Sequence, residues 1–262
     1  MSKPTLLVCV PYRAGEGQEH RRSHLRTFTE FMPGFLGEAG LDFLIVVAEQ
    51  TEDGRKFNRG ACLNAAFDWA RRYRPEHATR AVCFHDVDLL PVPSVEMQEA
   101  YRRVVLGGAW HLARCWRRYD TDTYLGGALT VDPVTFTLVN GFPNLFRGWG
   151  GEDDELAARL QQAKVPVERF VAGEYRDLED MDLGAKLAHL KGNPKLKCMD
   201  KWEVRDAYRA ARRAAKPVEG LAEVSYTVED VTELGSHIQV RFNLVPADAS
   251  RRFGYFEDLL LR

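Results

Sequence analysis

Residues 141–160, GFPNLFRGWGGEDDELAARL, set a Gly-rich aromatic turn directly against the carboxylates Glu152, Asp153 and Asp154, which open a helical pattern. Glycines at 148, 150 and 151 admit backbone angles with φ > 0 and close ligand approach, and Trp149 offers a flat apolar face for a pyranose ring. Acidic residues at a helix N-terminus are favoured by the macrodipole, and a carboxylate beside a sugar hydroxyl can serve as a general base. The segment reads as a sugar-binding catalytic site. On its own it also reads as a charged helix cap, so the rest of the chain has to decide.

A second acidic group, His85-Asp86-Val87-Asp88, follows a short apolar run. In an extended segment alternate residues share a face, so Asp86 and Asp88 point the same way while Val87 packs behind them. Two hard oxygen donors at a strand end suit Mg²⁺ or Mn²⁺ with positions left open for phosphate oxygens. A solvated acidic turn has the same spelling. Pro11-Tyr12-Arg13 and Phe57-Asn58-Arg59 each place an aromatic ring next to an arginine, a pairing that suits a nucleotide: the ring stacks on a base and the guanidinium grips a phosphate.

These groups need a scaffold. Buried-strand patterns occur at 5–10, 42–48 and 81–85, with helical patterns at 19–38 and 58–74 between them. Strands alternating with helices predict a doubly wound α/β sheet, whose ligands sit beyond the carboxyl ends of the strands. Residues 11–13, 49–50 and 86–88 fall at those ends and should converge. Residues 107–140 interrupt the alternation with a Trp- and Arg-rich loop and a strand-like LGGALTVD. Residues 200–216 read as a basic helix, and 221–245 as a β-hairpin through Leu234-Gly235-Ser236, expected to stand as a C-terminal appendage on a single domain spanning 1–262.

A net charge of −2 argues against a partner held by wholesale phosphate neutralisation, so nucleic acid is not expected. The five cysteines are odd in number and contain no CxxC, which predicts reduced, mostly buried thiols rather than disulfides or a zinc site. The N-terminal apolar run is too short to span a bilayer and lacks a small-residue cleavage site, and no other segment approaches membrane-spanning length. A cytoplasmic protein is the expectation.

The ordered set VPYR (10–13), FNRGACLNAAF (57–67), HDVDLLP (85–91), YLGG (124–127), NGFPNLFRGWGGEDDEL (140–156) and YTVEDV (226–231) resembles the β-1,4-galactosyltransferase family over nearly the whole chain, and HDVDLLP with its shorter loops resembles the branch that uses xylose as acceptor. The resemblance implies a single-domain GT-A fold with a mostly parallel central sheet, and metal-dependent, inverting transfer of galactose from UDP-galactose to a xylose-, glucose- or N-acetylglucosamine-like acceptor. It implies donor contacts from Pro11, Tyr12, Arg13, Phe57, Arg59, Asp86, Val87, Tyr124 and Trp149. Acceptor contacts come from Trp149, Gly151, Glu152, Asp153 and Asp154, with Asp153 the catalytic base. The bulk of Tyr124 disfavours an N-acetylated donor, and the loop around Trp149 closes over the donor on its glycines.

Asp88 is implied as the ligand of Mn²⁺, with Mg²⁺ as an alternative. The family supplies further ligands after the helix that follows GGEDD; here that region holds only His189, with Lys186 and Lys191 near the places where a second ligand is expected. This departure keeps two other readings open: the same fold with UDP-GalNAc or UDP-glucose, and an inactive nucleotide-sugar or glycan-binding module. The stretch 186–216 carries ten Lys/Arg against three Asp/Glu, which suits peripheral contact with an anionic membrane as well as a solvated helix face. Secretory members of the family carry an N-terminal anchor, so its absence here implies a cytoplasmic enzyme or a trimmed chain.

Overall fold

Two runs with apolar residues at successive positions, Thr5–Tyr12 (β1) and Asp42–Gln50 (β2), pair in parallel from Thr5↔Asp42 to Tyr12↔Glu49. Such runs need cover on both faces, which a parallel sheet between helical layers supplies. The computed structural model describes residues 3–15, 19–119, 121, 124–215 and 218–245. α1 (His20–Glu38) carries the chain from β1 to β2, and α2 (Arg59–Tyr73) leads on toward β3 (Val82–His85), which lies parallel to β1 on its other side. α2 starts where the Asn58 side chain accepts the Ala61 amide proton at 2.9 Å, and every residue from Gly60 to Ala70 is buried.

The chain continues through β4 (Leu89–Pro91), α3 (Val95–Arg102), β5 (Ala109–His111), β6 (Ala128–Val131), α4 (Pro133–Leu138), α5 (Glu152–Gln162), β7 (Val167–Arg169), β8 (Tyr175–Asp177), α6 (Leu183–Gly192), α7 (Lys201–Arg213), β9 (Ser225–Glu233) and β10 (Ile238–Val245). One sheet runs β7-β5-β6-β3-β1-β2-β10-β9, and β4 and β8 form a separate ribbon. The sheet is parallel through β3, β1, β2 and β10. The strand expected within LGGALTVD is β6, which enters antiparallel to β3 and β5. On one face Phe28, Met32 and Phe35 of α1 pack with Met97 and Tyr101 of α3; on the other, α2 packs with Phe136, Leu156 and Leu160. The five cysteines are all free, and only Cys115 is not fully buried. No helix among the described residues is long and apolar enough to cross a membrane.

The C-terminal hairpin forms, but it is not an appendage. β10 pairs parallel with β2, from Ile238↔Val46 to Phe242↔Gln50, and β9 forms the outer edge. The reason is in β10's alternation: Ile238, Val240, Phe242 and Leu244 are buried and join the α2 side of the core. β9 is largely exposed and carries Glu229, Asp230 and Glu233, charges that discourage pairing at an open edge. Phe242, fully buried against the Tyr226 ring with centroids 5.0 Å apart, reports this integration. Phe242→Ala is expected to lower unfolding free energy by about 3–5 kcal/mol in a urea titration, a core-sized loss rather than that of a surface hairpin.

Candidate active site

The ends of β1 and β3 meet the start of α5 at a cleft of about 970 Å³, counting the solvent at its mouth; Glu49 and Gln50, at the end of β2, do not line it, Gln50 being buried with its side chain accepting the Asn58 amide proton. Pro11, Arg13, Phe57, Arg59, Asp86, Asp88, Tyr124, Trp149, Glu152 and His189 all line it. Two residues expected to contact a donor do not face it. Tyr12 is buried with Leu6, Val8 and Val10, the β1 face directed at α1, because strand alternation sends its ring inward. Val87 is wholly buried behind the two aspartates, leaving only its backbone near the donor side. The expected aromatic–arginine pairing appears across segments: the Arg13 guanidinium lies over the Phe57 ring, 5.7 Å from its centroid.

Arg59 is the hub. It is the first residue of α2, and its Nε donates to Asp86 Oδ1 at 2.7 Å while Nη1 donates to Asp153 Oδ1 at 2.8 Å and lies 3.5 Å from Glu152 Oε1. Burial works against its charge, but Asp153, Asp86 and Glu152 together outweigh burial and hold its pKa well above the ordinary arginine value. Asp153 sits behind the cleft wall on this guanidinium. Its pKa is raised, first by burial and further by Asp86, with Arg59 pulling the other way. Glu152 is pushed up to about 7 by burial and by Asp153. A side chain at Gly126 would overlap both the Asp153 carboxylate and the Tyr124 hydroxyl, so the missing Cβ is what lets those two groups approach. Asp154 turns away, toward Lys201 and Arg205.

His85 fixes the acidic strand end from beneath. Its Nδ1 lies 2.9 Å from the Asp86 carbonyl and its Nε2 2.6 Å from the Tyr101 hydroxyl, which is 3.0 Å from that of Tyr175. A carbonyl only accepts, so Nδ1 carries the proton and Tyr101 donates to Nε2. Burial lowers the imidazole's pKa to about 4, and the ring stays neutral.

The opposite wall was only partly legible beforehand. Tyr119 and Tyr124 stack with centroids 4.2 Å apart, and Trp116 meets Tyr119 edge-on at 5.0 Å. Below them Glu179 accepts from Lys186 Nζ at 2.7 Å and from Arg118 Nη1 at 2.7 Å; despite its burial, Lys186 and Arg118 hold its carboxyl down to about 2. Arg118 also pairs with Asp177 and donates to the Met181 carbonyl. Arg118 and Glu179 escaped sequence reading because each lies in an irregular segment with no motif. The Arg-rich RCWRRYD run was the only signal for Arg118.

Asp88 and His189 share the cleft, but among the described residues no group of three or more His, Cys, Asp or Glu could hold a metal. Asp88 is buried, its pKa is raised by that burial, and its ion pair with Arg21 is long at 3.9 Å. It is a carboxylate short of positive charge. His24, on the same helix as Arg21, adds none, because burial lowers its pKa. One hard oxygen donor and one imidazole are donor types a divalent cation accepts, and its other positions would fall to phosphate oxygens and water.

The glycines of the turn have φ of +89° at Gly148, +104° at Gly150 and +108° at Gly151, as the sequence led one to expect. The turn is pinned by backbone bonds: Gly148 N to Phe57 O at 2.7 Å, Trp149 N to Leu196 O at 2.7 Å, and Cys198 N to Trp149 O at 3.2 Å. Gly151 caps α5 without a side chain, and a Cβ there would overlap the Phe146 ring. Phe146 stacks on Tyr208 of α7, whose hydroxyl donates to the buried carboxyl of Glu219. Burial raises Glu219 to about 7, while its oxygens accept the Asn144 amide at 3.1 Å.

Two family models match the chain in succession: the N-terminal region of glycosyl transferase group 7 over residues 2–101, and a model described as the N-terminal domain of galactosyltransferase over residues 110–181. Human β-1,4-galactosyltransferase 4 is 34% identical over 165 residues, which is 62% of this chain and 44% of that protein. Human β-1,4-galactosyltransferase 3 is 32% identical over 62% of this chain and 39% of that protein. The chain thus aligns with less than half the length of these curated relatives. The catalytic domain of Drosophila β-1,4-galactosyltransferase 7 in complex with xylobiose superposes with a TM-score of 0.68 at 25% identity, over 95% of this chain and 97% of that one. A mutant of the same Drosophila protein, in complex with manganese, UDP-Gal and xylobiose, gives a TM-score of 0.69 at 23% identity, over 95% and 97%. The architecture is the α/β GT-A fold of nucleotide-diphospho-sugar transferases.

Two stability measurements follow from the turn and its support. Gly151→Ala is expected to cost about 1–3 kcal/mol, since an L side chain must hold a positive φ against Phe146. Glu219 keeps its proton up to pH about 7 when folded but loses it near its ordinary value of 4.5 when unfolded, so its contribution is full below pH 4.5 and falls as pH rises through 7. Glu219→Gln should flatten the pH dependence of the urea midpoint across that window, by up to about 3 kcal/mol.

Proposed function

Because the chain belongs to the β-1,4-galactosyltransferase family, we propose that it is an inverting transferase. It moves galactose from UDP-galactose to a sugar hydroxyl, in β-1,4 linkage, with Asp153 as general base. The observation that carries this reading is Asp153 itself: a half-buried carboxylate at a helix N-terminus, gripped by Arg59 and set beside a cleft walled by Trp149 and Tyr124. Its raised pKa makes it a stronger proton acceptor than a solvated aspartate.

In this reading the uracil ring lies near Phe57 and Arg13, and the diphosphate lies toward Asp88, Arg21 and Lys186. Asp88 and His189 would hold Mn²⁺, which when bound would supply positive charge against the departing diphosphate. Trp149 and the Tyr119–Tyr124 stack hold the sugars face-on, so that the acceptor oxygen points at the anomeric carbon. As that oxygen attacks, its proton passes to Asp153, the new glycosidic bond forms on one face, and the bond to UDP breaks on the other. Arg59, shared among three carboxylates, keeps Asp153 ionised and aimed before the proton arrives. The bulk of Tyr124 favours galactose over an N-acetylated sugar, and an acceptor of the xylose type is in keeping with the xylobiose held by the Drosophila relative.

The test is UDP release from UDP-galactose with Mn²⁺ and a β-xyloside, paired with calorimetric titration of UDP. Asp153→Asn should reduce turnover by roughly 10²–10⁴-fold while UDP affinity stays within a few-fold of wild type. Turnover that survives the substitution removes Asp153 from the role.

A further inference from the structure

Asp154, the third carboxylate of the acidic run, faces α7 rather than Arg59. Its Oδ2 lies 3.3 Å from Lys201 Nζ and 3.6 Å from Arg205 Nη1. The same two cations lie over the ring of Trp202, at 5.4 and 5.5 Å from its centroid. The indole centre therefore lies within about 9 Å of the carboxylate adjacent to the base.

Trp202 is 63% exposed, on a helix whose other face buries Val204, Tyr208 and Ala211. Fold stability does not ask for an indole there. The opposite face anchors α7, and an exposed ring gains little from burial. Two cations on one carboxylate leave the group with a net positive charge, and both also lie over the indole. Arg205 and Asp154 also line an open groove along α5, and Lys201 Nζ lies 3.5 Å from where a Cβ on Gly150, the neighbour of Trp149 in the cleft, would stand. An aromatic face, a guanidinium fork and an ammonium thus stand beside the turn that carries Trp149 and the carboxylate that follows Asp153.

We infer that Trp202, Lys201 and Arg205 form a second acceptor subsite, which takes the group attached to the reacting sugar and selects acceptors that carry an anion there, a carboxylate or a phosphate. The inference rests on the galactosyl-transfer reading of the cleft. The indole stacks on the attached group, and Arg205 with Lys201 receives the anion by charge-assisted hydrogen bonds. The basic stretch from Lys186 onward, whose sequence also suited a membrane surface, is in this account the flank of an acceptor groove.

Three β-xylosides matched in size test it: phenyl, 4-carboxyphenyl and 4-phosphophenyl. Binding is measured by calorimetry with UDP and Mn²⁺ present, and transfer as kcat/KM with UDP-galactose. Wild type should prefer the charged xylosides by ~10-fold, mostly in KM, with the ratio falling to ~1 in Trp202→Ala and in the Lys201→Gln/Arg205→Gln double variant. UDP affinity in each variant checks that it is folded. Whether the carboxylate or the phosphate is favoured names the anion. Equal or absent binding of all three by wild type overturns the subsite, as does a preference that survives in the variants. The same holds if phosphatidylserine vesicles bind, the double variant loses that binding, and no glycoside is discriminated; α7 is then a membrane face. Selective binding without galactose transfer would instead overturn the transfer reading and leave the subsite standing.

Discussion

One buried guanidinium organises the functional end of this molecule. Asp86 closes β3, while Glu152 and Asp153 open α5, and without Arg59 these carboxylates would repel one another across the top of the sheet. Arg59 sits at the first turn of α2, where the helix dipole disfavours a cation. The carboxylates override that preference, so the start of one helix, the end of one strand and the start of another helix are fixed relative to each other by a single side chain. A buried charge cluster of this kind is a poor way to gain stability and a good way to specify an arrangement. The close approach of α2 and α5 continues it: a Cβ at Gly60 would overlap the Pro143 carbonyl and touch Glu152.

The support beneath is neutral by design of its surroundings. His85 is kept uncharged by burial, so it orients the Asp86 carbonyl without adding a charge that would compete with Arg59 for the carboxylates. Directly beneath Asp86, hydrogen bonds between neutral groups hold the strand end. Across the cleft, Glu179 and Asp177 with Lys186 and Arg118 form a separate, internally matched set. That wall can hold its shape without drawing on the Arg59 cluster.

The sequence made β1, β2, β3, β6, the β9–β10 hairpin, α1, α2, α5, α7 and the acidic run legible, because strand and helix periodicities and short motifs are local properties; β4, β5, β7 and β8, three residues each, are too short to show a period. It placed 11–13, 49–50 and 86–88 together because each sits at the end of a strand whose direction the alternation sets; the first and third line the cleft, and Glu49 and Gln50 do not. Tyr12 was misread because an aromatic beside an arginine looks like a base-stacking pair until strand parity decides which face it takes. The hairpin was misread because its turn is local while its partner, β2, is not; only β10's buried alternation hinted at a second neighbour. The balance of effects on Asp153 was also hidden: like charges and a helix N-terminus were visible, but burial, which dominates, was not. Arg118 and Glu179 meet through irregular segments that no period describes.

The parallel seat of β10 has a consequence for how the chain reaches this structure. Ile238 pairs with Val46, so the inner edge of β2 has no permanent neighbour until nearly the whole chain has been made. At synthesis rates of about 5–20 residues per second, that edge waits on the order of ten to forty seconds with its amides and carbonyls unpaired. A contact of such long sequence separation closes slowly, because the loop entropy is spent before the strand bonds are gained. During that interval β2 is a template for any passing strand, including the β10 of another copy. The charged outer face of β9 becomes protective only once β10 has docked, so the same hairpin that seals the native sheet sets the period of greatest exposure to misassembly.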